Sequence, residues 1–134
     1  MPPINFDQLT IGYEFPATNY ELSESFVAKY LEAVDGQKEF LALGIVPPLA
    51  IAACAMSSLS QSFTVPPGSI HASQEFEFLK LVPIGATISC GGKIAQKLQR
   101  GKLHLVMVEI NALNQDKEKI LTGKATIAVP DLGS

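Results

Sequence analysis

The spacing of apolar residues changes once along the chain. Phe26, Val27, Tyr30, Leu31 and Val34 recur at helical spacing on one face. Ser23 stands before them as an N-cap, and Glu24 falls in the first turn, where the helix dipole favours negative charge. Gly36 follows as the C′ residue, able to take the left-handed conformation that ends a helix. Tyr13 to Leu22 reads as a strand before this helix, and Gln37 to Val46 as a loop after it. Pro47 and Pro48 can open a second helix, because the first turn needs no amide donors. Leu49 to Phe63 then runs without a breaker and is apolar or small nearly all round at its start, the mark of a helix buried on most faces. Pro66, Pro67 and Gly68 stop it.

From there the period is two. Ile70, Ala72, Gln74, Phe76 and Phe78 alternate with His71, Ser73, Glu75 and Glu77. Pro83 and Gly85 make a turn, and Thr87 to Lys97 is a strand in which Gly91-Gly92 marks a bulge or bend. Leu103 to Leu113 follows, with His104, Val106, Val108, Ile110 and Ala112 on one face. Leu121, Gly123, Ala125, Ile127 and Val129 line one face of the last strand. Short turns between strands predict antiparallel pairing, here as a meander of four.

The predicted order is strand, helix, long apolar helix, then four strands. A single curved sheet has one face to bury, and the helix from Leu49 is the element able to cover it. That packing is the hot-dog arrangement, an α+β fold in which an antiparallel sheet wraps one central helix. Its sheet edge stays open, and pairing edge to edge with a second copy would resolve that liability. A dimer is expected.

At 134 residues the chain has room for one domain, expected to span 1–134, and 47% apolar residues supply a core. A net charge of −3, with no basic run or Lys/Arg stripe, speaks against a nucleic-acid partner. Met1 to Phe6 carries no positive segment and no apolar stretch of the secretory kind. Cys54 and Cys90 read as buried free thiols, which together with the plain start predicts a cytoplasmic protein. Between Phe40 and Gln74 there is no Asp, Glu, Lys or Arg, but Gly44 and Pro47-Pro48 interrupt the apolar run, so a membrane span is not expected.

The stretch Gly68-Ser69-Ile70-His71-Ala72-Ser73-Gln74-Glu75-Phe76-Glu77-Phe78, followed by Val82-Pro83-Ile84-Gly85-Ala86-Thr87-Ile88, resembles the MaoC-like dehydratase family. The likeness is strongest to the N-terminal-type half of fatty-acid dehydratases. Ala33-Val34-Asp35-Gly36, Gly44-Ile45-Val46-Pro47-Pro48 and Gly123-Lys124-Ala125-Thr126-Ile127 resemble the same family, and the order and spacing of the segments carry the likeness. The resemblance implies hydration of trans-2-enoyl thioesters or dehydration of 3-hydroxyacyl thioesters, carried on coenzyme A or acyl carrier protein. It implies a carboxylate and an imidazole that move a proton, with Asp35 and His71 as candidates. It also implies backbone amides at the start of the central helix that hold the thioester oxygen, and an apolar tunnel for the tail. Gly44, Pro48, Leu49, Ala52 and Met56 are the substrate-binding candidates. No metal or redox cofactor is implied, and the partner is a second hot-dog chain, identical or related.

The chain departs from the family at one point. Catalytic members carry an Asp followed by Asn-Pro and then His. Here Asp35 is followed by Gly36, Gln37, Lys38, Glu39 and Phe40, so Phe40 stands near where the His belongs. Two alternatives therefore stand beside a hydratase. One is a non-catalytic acyl-binding subunit of a dehydratase complex. The other is a hot-dog acyl-CoA thioesterase, disfavoured because Leu49 to Phe63 holds no acid but kept open by Glu39. His104, on an apolar strand face, and Cys54, with no base nearby, read as structural.

Overall fold

A computed structural model describes residues 4–36 and 39–130. Its elements in chain order are β1 (Ile4–Asn5), a 3-10 turn (Phe6–Gln8), β2 (Thr18–Glu21), α1 (Glu24–Ala33), α2 (Glu39–Leu43), α3 (Pro48–Ser62), β3 (Phe63–Thr64), β4 (Ile70–Phe78), β5 (Thr87–Arg100), β6 (Leu103–Leu113) and β7 (Lys119–Pro130). Five strands form one antiparallel sheet in the order β2-β5-β6-β7-β4, while β1 and β3 make a short parallel pair.

The long apolar helix is where the sequence puts it. Ala50, Ile51, Cys54, Ala55 and Leu59 of α3 are buried against the sheet, which presents Ile88, Ile94, Val106, Val108, Leu121 and Ala125 to the core. Ser58 is the buried polar residue of that interface. Its Oγ lies 3.3 Å from the Cys90 carbonyl and 3.2 Å from Thr18 Oγ1, so the hydroxyl can donate to the carbonyl while accepting from Thr18.

Several expectations need correction. The four late strands are not a simple meander: β5, β6 and β7 follow one another, but β4 pairs with β7 at the far edge. Its link to β5 runs past the start of α3, held by Val46 N–H to the Val82 carbonyl (2.8 Å) and Ile84 N–H to the Gly44 carbonyl (2.9 Å). The segment read as a loop contains α2, whose Phe40 and Leu41 pack on the core. Gly44, at φ 70°, ends it in the left-handed region with its N–H on the Leu41 carbonyl. The first strand is shorter than Tyr13 to Leu22, although Glu14 bridges to Lys93.

Ser23 caps α1 as expected, accepting from Phe26 N–H at 3.1 Å. At the other end the left-handed residue is Asp35 (φ 52°), not Gly36. Aspartate tolerates that conformation better than most side chains. Gly36 is needed for space: a Cβ there would come within 2.9 Å of Leu31 Cδ2. The bulge in β5 falls between Ile94 and Gln96, leaving Gly91 and Gly92 in regular pairing. A Cβ on Gly92 would lie 2.5 Å from the Glu109 carbonyl oxygen, so this glycine permits close backbone approach.

The outer face of the sheet carries an alternating row of charge. Lys93 stands opposite both Glu14 and Glu109, Glu109 opposite Lys124, and Lys124 opposite Glu75. The Lys93–Glu109 pair closes to 3.6 Å. Opposite signs directly across strands favour this register and keep the face polar. Among the described residues no helix is long and apolar enough to cross a membrane.

Candidate functional site

Several concavities flank this framework among the described residues. One, of about 660 Å³, lies over the outer sheet face between Glu75, Glu77, Glu109 and Lys124. It is walled in part by the charged row, with Phe76 and Ile110 also lining it, and it is open to solvent. A second, about 240 Å³, sits beside the last turns of α3 and is mainly apolar: Met56, Leu59, Phe63, Ile70 and Ile127 line it, with His71 among them. A third, about 430 Å³, runs between α1 and α3.

His71 reaches the second cavity through an irregularity that strict alternation does not foresee. In that alternation His71 and Gln74 face opposite sides of β4. The register shifts between His71 and Ser73, so His71 lies opposite Ile127 and Gln74 opposite Ala125, two positions on one face of β7. Ala72 is the extra residue of the bulge. The result brings His71 Nε2 to 3.0 Å from Gln74 Oε1, and the Gln74 amide donates to the Glu75 carbonyl at 3.1 Å. With Gln74 Oε1 as acceptor, Nε2 carries the hydrogen and Nδ1 is left as an acceptor. His71 remains exposed at the rim, and Gln74 is half-buried.

Asp35 is elsewhere. It occupies the exposed turn that closes α1, and its N–H donates to the Glu32 carbonyl at 3.3 Å. No hydrogen bond joins it to His71 among the described residues, and the cavity that His71 lines does not include it. Gln37 and Lys38, part of the departure from the family's Asp–Asn-Pro–His run, lie outside the described residues. Phe40 is half-buried and packs against the core.

Of the substrate-binding candidates, Met56 lines the His71 cavity. Ala52 is buried in the core and Leu49 points outward at 64% exposure, so neither is in that cavity. Gly44 is the left-handed residue before α3, its carbonyl occupied by Ile84 N–H. Pro48 begins α3 behind Pro47 at the N-cap. Neither proline has an N–H, and the Ala50 N–H already donates to the Pro47 carbonyl at 2.9 Å. The start of α3 is therefore poor in the amide donors that would hold a developing oxyanion. Phe63, Val65, Ile70 and Ile127 line the cavity but were not among the candidates; the β7 alternation set Ile127 on one face with Ala125, which is buried.

Cys54 and Cys90 are buried free thiols. Burial pushes Cys54 up to about 11 and Cys90 up to about 12, with the Cys54 charge adding to the latter. Neither is an activated nucleophile. Burial also raises the Tyr20 phenol. The neighbouring Ser57 hydroxyl works against that shift, yet Tyr20 Oη completes no hydrogen bond of good geometry. His104 stands edge-on to Phe6 with ring centroids 6.0 Å apart, a packing role.

No family model matches the chain, and no curated protein matches it either. Solved structures do. A MaoC-like dehydratase from Rhodospirillum rubrum is 15% identical over 96% of this chain and 98% of its own, with a TM-score of 0.76. The (R)-hydratase PhaJ1 from Pseudomonas aeruginosa is 17% identical over 96% of this chain and 87% of its own, TM-score 0.77. The HadBC (3R)-hydroxyacyl-ACP dehydratase complex from Mycobacterium tuberculosis contains a chain 19% identical over 88% of this one and 96% of its own, TM-score 0.70. The chain has the hot-dog fold of these proteins.

Proposed function

We propose that this chain is an acyl-thioester-binding subunit of the hydratase and dehydratase class, working beside a related hot-dog chain that supplies the acid–base pair. The observation that carries this reading is the division of its parts. An apolar cavity fit for the end of an acyl tail is built by Met56, Leu59, Phe63 and Ile127, while Asp35 is not among the residues that line it with His71, and Pro47-Pro48 thin the donors at the helix start. A hydratase needs all three together: a tail pocket, a proton-moving pair, and amides for the enolate. The HadBC neighbour is itself a complex, which supports a partner of the same fold. Substrate is expected as a coenzyme A or carrier-protein thioester, with no metal or redox group involved.

The second reading is a hydratase that acts alone, favoured by the presence of His71 at the cavity rim. One assay separates the two. The purified chain is mixed with trans-2-butenoyl- and trans-2-octenoyl-CoA, and the conjugated-thioester absorbance is followed while binding is measured by calorimetry. Saturable binding without turnover is the expected result. Turnover abolished by His71→Ala or Asp35→Asn would overturn the subunit reading in favour of the hydratase. Absence of binding as well as turnover would remove both.

A further inference from the structure

The groove between α1 and α3 shares no residue with the His71 cavity. It is lined by Tyr20, Phe26, Tyr30, Ala53, Cys54 and Ser57, with Lys29 as its one charged lining residue. At 100° per residue, Ala53, Cys54 and Ser57 face about a third of a turn away from Met56, Leu59 and Ser60. Two separate sites therefore flank one helix.

Three features define what this groove accepts. Its volume of about 430 Å³ lies in the range of small-molecule sites. On α3 the side chains are small, so the aromatic rings of Tyr20, Phe26 and Tyr30 line a slot that stays open between the helices. Its single charge is positive, and Lys29 forms no ion pair among the described residues. An apolar slot beside a lone ammonium complements an amphiphile with an anionic end. Burying the chain supplies the affinity, and the exposed ammonium selects the sign of the head.

We propose that this groove binds a long-chain carboxylate of the fatty-acid kind, its alkyl chain along Phe26, Tyr30 and Ala53 and its carboxylate at Lys29. Such a ligand is chemically the hydrolysed relative of an acyl thioester. A site for it beside the thioester cavity would let the chain sense free acid independently of the bound acyl group.

The experiment titrates dodecanoate, below its micellar concentration, into the full chain by calorimetry. Dodecyltrimethylammonium serves as the probe with the same tail and the opposite charge. Saturable one-to-one binding of dodecanoate is expected, with the cationic probe at least tenfold weaker. Ala53→Trp fills the slot at an exposed position and should weaken dodecanoate at least tenfold. Lys29→Met should weaken it about tenfold and erase the preference between the two probes. Met56→Trp, which fills the other cavity, should leave dodecanoate unchanged while reducing acyl-CoA binding, so that failure here and failure of the subunit reading are told apart. Melting curves establish that each variant is folded. No saturable binding, equal affinity for the two probes, or loss in Met56→Trp but not in Ala53→Trp would each overturn the proposal.

Discussion

His71 and Gln74 share a face of β4 because Ala72 is bulged out between them, and their side chains meet at 3.0 Å. His71 is exposed and Gln74 only half-buried, so the contact adds little to stability. His71→Ala should shift the melting temperature by no more than about 2 °C, the scale of a surface substitution. The same variant should weaken acyl-CoA binding severalfold, because His71 borders the cavity. A fall of melting temperature beyond about 5 °C with unchanged binding would make His71 a structural residue.

How far the sequence led can be judged from this strand. Its extended character and the alternation that sets Phe76 apart from Glu75 and Glu77 were legible from periodicity, since half-burial of a strand imposes a period of two. The side on which His71 lies was not, because one extra residue in a bulge inverts the faces before it and leaves no mark in composition. The placement of β4 beside β7 was hidden for a related reason. Which strands pair depends on where the connection crosses, and that is set by contacts such as Val46 with Val82, distant in sequence. Helix α2 escaped notice because five residues hold a helical shape here only through packing of Phe40 and Leu41. In the site, Met56 lines the cavity from its place on α3, whereas Asp35 closes α1 in an exposed turn, a position that its likeness to a family motif did not reveal.

The charged row across the outer face supplies a test of register. Lys124 stands between Glu109 and Glu75, each directly opposite it. Lys124→Glu would set three acids side by side. Cross-strand pairs contribute roughly 0.2–1 kcal/mol each, so a loss of about 1 kcal/mol is expected at low salt. High salt should recover part of it, because exposed charges are screened. The urea midpoint at two ionic strengths measures this, and a salt-independent loss would show that charge is not the cause.

Gly123 and Phe76 are bound by a stricter constraint. They are opposite each other in the β4–β7 ladder, and a Cβ on Gly123 would lie 2.7 Å from both the Glu75 carbonyl oxygen and Phe76 Cδ1. The backbone oxygen cannot step aside as a flexible side chain could. Gly123→Ala is therefore expected to cost about 1–3 kcal/mol, the range of overpacked sites. It should do so by loosening the edge strand, so amide exchange should quicken in Ile70–Phe78 more than in Leu103–Leu113. Equal quickening in both strands would mean that the sheet yields as a whole.

Stability should also fall at alkaline pH, for a reason fixed by the two thiols. In the unfolded chain they ionise near the ordinary value of about 9, whereas burial holds Cys54 to about 11 and Cys90 to about 12 in the fold. As pH rises past 9, the unfolded chain gives up protons that the folded chain keeps, and unfolding is favoured. The stability that both protonated thiols represent is whole below pH 9 and is lost progressively as pH climbs through 11 and 12. Tyr20, raised by burial from an ordinary value of 10.0, adds to the upper part of the same fall. Urea midpoints measured from pH 7 to 10.5 should be flat to about pH 8.5 and then decline. The Cys54→Ala/Cys90→Ala double variant should start lower, from lost packing, and decline less steeply. An identical decline in that variant would assign the alkaline loss to other groups.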